Sequence, residues 1–249
     1  VSERNREGKR SARERLREER EREKAAERRK RTVKVGGIAV VVLAIAAGIG
    51  VIAANGGGEG DDVPGTEPVT VGRSSAPATL AVYEDFRCPA CGQFENGFRD
   101  TIRDLTEEGK LQVDYHLVTI IDGNMGGNGS KFAANAALCA RDEGKFSEYH
   151  DVLFENQPAE RDDTFGDKAR LIGLAEDVEG LDTESFRSCV QDGTHDEWVS
   201  SSNAGFLDAD FNATPTVLLD GENIYGDSED PLTPERLRER VEEAAGSGN

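Results

Sequence analysis

Residues 82–94 read VYEDFRCPACGQF, and this stretch decides how the chain folds. The run Ala78 to Phe86, ATLAVYEDF, has the β-branched and aromatic character of a strand. In the following CPACGQFENGFRDTIRDLTEEG, Phe94, Phe98, Ile102 and Leu105 share one helical face, and Gly109 stops the helix. Cys88 therefore opens a helix directly after a strand. Its sulfur is expected among unpaired backbone N–H groups at the positive end of the helix dipole, which favours the thiolate. Pro89 falls in the first turn, where a missing N–H costs nothing and the fixed φ is already helical. With only Pro89 and Ala90 between them, Cys88 and Cys91 are spaced to close a small disulfide ring, Cys88 as exposed nucleophile and Cys91 as resolving thiol. The residues alone leave open a plain structural disulfide, and a zinc half-site completed by Cys139 and Cys189.

Further along, KLQVDYHLV (110–118) alternates Leu111, Val113, Tyr115 and Leu117 with Gln112, Asp114 and His116, the pattern of a strand with one buried face. A Gly-rich loop is expected from Asp122 to Gly129. From Ser130 to about Asp210 the apolar spacing is helical, with Phe132, Phe146, Phe154 and Trp198 read, like Phe98, as core. Strand character returns at Thr216 to Leu219, Asp220-Gly221 supplies a hairpin turn, and Asn223 to Tyr225 is expected to pair back. Thr233 as N-cap, Pro234 at N1 and a Leu232/Leu237 staple open a closing helix. The order β, α, β, helical block, β, β, α is an α/β plan of the thioredoxin-like kind, with a helical insertion at about 130–210.

N-terminal to this domain the composition changes sharply. Residues 1–34 carry 15 Lys or Arg against 8 Asp or Glu, a charge of +7; with the whole chain at -19, the remainder holds -26. An acidic body of this kind lacks the Lys/Arg surface that nucleic-acid binding needs. Residues 35–54, VGGIAVVVLAIAAGIGVIAA, contain no charge, and 20 helical residues reach roughly 30 Å, the thickness of a bilayer's hydrocarbon core. We expect a single transmembrane helix in contact with membrane lipid, retained rather than cleaved, because both the basic region and the apolar run exceed those of an ordinary signal peptide. The basic residues beside it, Arg28, Arg29, Lys30, Arg31 and Lys34, keep 1–34 cytoplasmic, so the acidic domain faces outside the cell membrane. Val1 is read as a non-ATG start codon translated literally. Residues 55–68, rich in Gly, acidic residues and Pro, form a flexible linker, and the folded domain occupies 69–249.

VYEDFRCPACGQF together with ATPTVLLDG (213–221) resembles the membrane-anchored DsbA-like thioredoxin-fold proteins of bacteria, over roughly residues 68–245. The family's Asp-aromatic-x-Cys-Pro-x-Cys block matches Asp85, Phe86, Cys88, Pro89 and Cys91, and its Thr-Pro turn matches Thr214-Pro215. The resemblance implies that Pro215 is cis, faces the redox pair, and leaves the backbone before it free to pair with an extended substrate. Asp85, or failing that Glu84, is the candidate carboxylate for the proton of Cys91. Ala90 stands where the best-known oxidase has His, which removes one contribution to thiolate stability. The resemblance to actinobacterial members further implies a structural disulfide between Cys139 and Cys189; two buried free thiols are the alternative. By the loop-entropy model such a bond would stabilise by roughly 4 kcal/mol.

The activity implied is extracytoplasmic thiol-disulfide exchange, introducing disulfides into exported protein thiols by a monomeric catalytic domain. A quinone-linked membrane protein of the DsbB or vitamin K epoxide reductase type would reoxidise the pair. The same site run in reverse would make a reductase or isomerase; with both cysteine pairs structural, the domain would be a tethered peptide-binding module. His116, His150 and His195 have no mutual metal-ligand spacing and are read as structural, so no metal is expected; with no phosphate-binding glycine loop, no cofactor is expected either.

Overall fold

The computed structural model describes residues 67–247, apart from positions 210, 212, 228 and 229. The expectations for the basic segment 1–34, the apolar span 35–54 and nearly all of the linker 55–68 lie outside the described residues. Among the described residues, no helix is long and apolar enough to cross a membrane.

Five strands form one mixed sheet: β1 (Val69–Val71), β2 (Ala78–Glu84), β3 (Leu111–Leu117), β4 (Thr216–Leu219) and β5 (Glu222–Asn223), in the spatial order β1-β3-β2-β4-β5. β2 and β3 are parallel, and the remaining neighbours are antiparallel. A parallel pair needs a crossover, and helix α1 (Pro89–Glu107) supplies it. The alternation read from the sequence for β3 is seen, with Leu111, Val113, Tyr115 and Leu117 buried, and β2 alternates in the same way, burying Ala78, Leu80, Val82 and Glu84. α1 buries Phe94, Phe98, Ile102 and Leu105, and ends at Gly109, whose φ of 74° lies in the left-handed region that glycine tolerates best. The closing helix α8 (Pro234–Ser247) packs against α1, with Leu237 and Val241 fully buried. Thr233 caps it through an Arg236 N–H to Thr233 Oγ1 bond of 3.3 Å.

The insertion is a set of helices: α2 (Ile120–Met125), α3 (Gly129–Asp142), α4 (Phe146–Glu155), α5 (Lys168–Leu174), α6 (Glu184–Asp192) and α7 (Asp196–Asp208). Three sequence expectations change. The strand β1, not expected from the pattern, pairs antiparallel with β3. The first half of the expected Gly-rich loop from Asp122 to Gly129 instead lies within α2, whose weak helix formers Gly123 and Asn124 are offset by tertiary contacts: Ile121 is buried and its N–H donates to Asp85 at 2.9 Å. The return strand is Glu222–Asn223 rather than Asn223 to Tyr225, because Asp220 and Gly221 both have positive φ (49° and 87°) and make a two-residue turn that pairs Leu219 directly with Glu222.

Candidate active site

Cys88 is the N-cap of α1 and Pro89 follows at the start of the helix, as the sequence required. The Cys88 N–H donates to the Asp85 carbonyl at 2.9 Å, and the Gly92 N–H donates to the Cys88 carbonyl at 3.1 Å, so the sulfur sits at the mouth of the helix among its free amides. Cys88 and Cys91 are both free thiols. Cys88 retains 7% of its surface and Cys91 none, which leaves Cys88 as the sulfur an incoming partner can reach.

The two sulfurs are held in opposite states. A hydrogen bond from the Cys91 thiol lowers Cys88 most; burial opposes it, and the Thr214 hydroxyl and the N–H groups of Cys91 and Ala90 add to the lowering, bringing Cys88 to about 6. Burial raises Cys91 well above the ordinary thiol range, reinforced by its bond to Cys88 and the charges of Cys88 and Glu84. The reduced pair is therefore a Cys88 thiolate accepting a hydrogen bond from a neutral Cys91 thiol. Alkylation of Cys88 by iodoacetamide is accordingly expected to rise with a midpoint near pH 6; a midpoint near 9 would contradict this arrangement. Because its value in the fold is depressed, Cys88 stabilises the reduced form fully only above the ordinary thiol range, and that stabilisation is lost as pH falls through about 6.

Thr214-Pro215, at the entrance to β4, is a cis peptide bond. The Cys88 sulfur lies 3.3 Å from the Thr214 carbonyl oxygen, to which its thiol form donates. Thr214 Oγ1 is buried with no fixed partner and is thus available to the sulfur once that is a thiolate. The tertiary fold brings position 214 beside position 88, across 126 residues of chain.

Asp85 is fully buried. Its Oδ1 accepts the Arg87 N–H at 2.8 Å, its Oδ2 accepts the Ile121 N–H at 2.9 Å, and its own N–H points at Cys91 Sγ at 3.5 Å. Burial, against those hydrogen bonds, pushes its carboxyl up to about 7. Glu84, the second candidate, is also fully buried and meets His150 at 2.7 Å between Oε1 and Nε2.

Several site residues escaped the sequence reading. Arg87, 1% exposed, binds Asp122 Oδ1 at 2.6 Å, the Gly126 carbonyl at 2.9 Å, the Glu160 carbonyl at 3.1 Å and Asp163 Oδ1 at 3.1 Å, tying the helical insertion to the cysteine motif. Its only sequence signal was a cation inside the motif of an acidic domain. Gln157 donates through Nε2 to the carbonyls of Phe86 and Cys88, both at 2.9 Å, and packs so close to Gly92 that no Cβ fits there without moving it. His150, read as structural, is joined to Glu84, with Glu95 beside both.

Cys139 of α3 and Cys189 of α6 form a disulfide with Cα atoms 5.9 Å apart. The zinc reading, which required both as ligands beside Cys88 and Cys91, is therefore overturned, as is the alternative of two free thiols.

Comparison with known proteins agrees with this geometry. Residues 65–243 match the family described as thioredoxin. The reduced form of a disulfide bond oxidoreductase (DsbG) from Mycobacterium tuberculosis is 31% identical, with a TM-score of 0.62, over 74% of this chain and 90% of that one. The oxidised DsbA of the same organism is 32% identical, with a TM-score of 0.61, over 72% and 93%. Similarity also extends to longer proteins: 155 residues are 30% identical to the Na(+)/H(+) antiporter NhaA 1 of Salinispora arenicola, covering 62% of this chain but only 22% of the antiporter. The family match, the paired cysteines at the helix mouth and the cis-proline beside them agree: the chain belongs to the thioredoxin family, among its DsbA-like disulfide oxidoreductases.

Proposed function

We propose that this chain is an extracytoplasmic thiol-disulfide oxidoreductase, anchored in the cell membrane through residues 35–54, that introduces disulfides into exported proteins. The thiolate of a substrate attacks Cys88 of the Cys88–Cys91 disulfide, Cys91 departs, and the substrate's second thiol displaces Cys88, leaving both cysteines reduced. Asp85 stands next to Cys91 as a carboxylate that titrates near neutrality, and the backbone at Thr214-Pro215 is the edge along which an extended substrate pairs. A quinone-linked membrane partner of the DsbB or vitamin K epoxide reductase type would take the electrons.

The observation that carries the exchange chemistry is the asymmetry of the pair at the helix start, a reachable Cys88 whose thiolate is eased beside a buried, neutral Cys91. Whatever stabilises the Cys88 thiolate raises the potential, because the thiolate exists only in the reduced form. Equilibration of the full chain with a glutathione redox buffer, with the thiols of Cys88 and Cys91 followed by alkylation and mass spectrometry, tests the direction. A potential near or above about -180 mV supports a disulfide donor, and one near about -270 mV supports the reductase reading. A pair that never exchanges would leave only the tethered binding module.

A further inference from the structure

Helix α1 contains two glycines, Gly92 and Gly97, and a glycine inside a helix is less favourable than an alanine. Neither has a positive φ, so neither is there for the conformational freedom of glycine. They differ in what surrounds them. A Cβ at Gly97 would meet nothing within 4 Å. One at Gly92 would overlap Gln157 Oε1 and stand 3.0 Å from Gln157 Cδ. What Gly92 supplies is room for one particular side chain, directly after Cys91 in the sequence.

Gln157 lies two residues beyond the end of α4 and is half-buried. Its Nε2 carries two N–H groups and has two acceptors, the carbonyls of Phe86 and Cys88, each at 2.9 Å. Those carbonyls flank Arg87, where the chain has left β2 at Glu84 and has not yet entered α1 at Pro89. The same loop takes hold of Arg87, whose guanidinium donates to the Glu160 carbonyl at 3.1 Å and meets Asp163 Oδ1 at 3.1 Å. The loop in turn starts from a fixed point. α4 is bound to α1 by Asn96 Nδ2 to the Phe154 carbonyl at 3.4 Å and by Arg99 Nη2 to the Asp151 carbonyl at 3.2 Å, and neither bond involves the Cys139–Cys189 disulfide.

Cys88 needs such a hold. Pro89 and Ala90 offer its sulfur no side-chain hydrogen-bonding group. The groups that meet the sulfur come from elsewhere: the Cys91 thiol, Thr214, whose carbonyl oxygen is 3.3 Å away, and the N–H groups at the mouth of α1. Hydrogen bonds weaken steeply as their geometry is lost, so each of these contacts depends on where the Cys88 backbone stands. We propose that Gln157 is the positioning residue of Cys88: by drawing the Phe86 and Cys88 carbonyls onto one amide it holds the nucleophile where Thr214 and the helix mouth reach it, and Gly92 is the opening that admits the amide. Gln157 touches no reacting atom and acts through the backbone of residue 88. The proposal rests on the redox reading of Cys88–Cys91 and adds that the helical insertion, not the cysteine motif alone, sets how reactive the pair is.

The test is the pH dependence of iodoacetamide alkylation of Cys88 in the reduced full chain, for wild type and four variants. Gln157→Met keeps the length of the side chain and loses both donors. Gly92→Ala leaves Gln157 in place and pushes its amide, the far end of a flexible side chain, off the two carbonyls. The third combines the two, and Gly97→Ala is the control. Cys91 and Tyr225, titratable groups whose charges interact with Cys88, are unchanged in all of them.

Gln157→Met and Gly92→Ala should each raise the Cys88 midpoint from about 6 by about one pH unit, a tenfold loss in the thiolate equilibrium. The double variant should go no further than either alone, because both remove one contact from its two sides, and Gly97→Ala should not move it. At pH 7 the shift takes the equilibrium with glutathione about fivefold toward the disulfide, since only the reduced form holds the thiolate. Urea unfolding shows that each variant is folded; if one is not, the other carries the test. A lowered urea midpoint with an unmoved alkylation midpoint would make Gln157 a structural residue only and overturn the proposal, as would additive shifts in the double variant. Normal exchange in wild type with unmoved variants sinks the positioning role alone, whereas a wild-type pair that neither alkylates as a thiolate nor exchanges sinks the redox reading and this inference with it.

Discussion

Cys88→Ser is expected to abolish disulfide exchange with a reduced protein substrate, lowering its rate by about 10³-fold or more, the scale on which loss of a nucleophile acts. The reason lies in how the helix mouth treats sulfur and oxygen differently. The Cys88 thiol is brought to about 6 by the Cys91 hydrogen bond, the Thr214 hydroxyl and two backbone N–H groups, against the cost of burial, so most of it is thiolate at neutral pH. A serine hydroxyl receives the same contacts but starts too high for them to ionise it, and it cannot form a disulfide. Cys91→Ser gives a different outcome: Cys88 stays reactive, nothing resolves the mixed disulfide from within, and covalent complexes with substrate accumulate on non-reducing gels. Exchange persisting in Cys88→Ser, or mixed disulfides trapped through Cys91 instead, would assign the nucleophile wrongly.

Removing the Cys139–Cys189 disulfide, as Cys139→Ala with Cys189→Ala, is expected to cost about 4 kcal/mol of unfolding free energy, since the bond closes a loop across a sequence separation of 50. That is a large fraction of the roughly 5–15 kcal/mol available to a domain. The bond joins α3 to α6, and α3 is the most buried helix of the insertion, with Ala133, Ala134, Ala136, Ala137 and Leu138 all at 0% exposure. Losing the tie therefore loosens the insertion, from which Gln157 and Asp163 reach back to the cysteine motif. Urea unfolding measures the cost; a midpoint unchanged from wild type would mean that the bond constrains nothing in the unfolded chain. Cys88 alkylation near pH 6 should survive in the folded variant, because none of the causes that lower Cys88 runs through this bond.

The α/β order and the nucleophile were legible in the chain alone, because both are local. Strand alternation, the helical face of Phe94, Phe98, Ile102 and Leu105, the stop at Gly109 and the placement of Cys88 and Pro89 at a helix start follow from period and capping within about thirty residues. The short elements were less legible for the converse reason. α2 contains Gly123 and Asn124 and persists through its bonds to Asp85 and Arg87, and three-residue β1 becomes a strand only because β3 offers it an edge.

What only tertiary structure decided is the environment of each charged group. Asp85 and Glu84 stand out in the sequence through the motif beside Cys88 and His150 reads as a structural histidine, but Glu95 looks like an ordinary solvated carboxylate, and nothing local shows that all four are buried. The sheet's pleat turns Glu84 inward, α1 carries Glu95 beneath Cys91, and α4, more than fifty residues away in the chain, brings His150 to meet them. Sequence determines which groups titrate; desolvation and long-range pairing, which exist only once the chain has closed on itself, determine where.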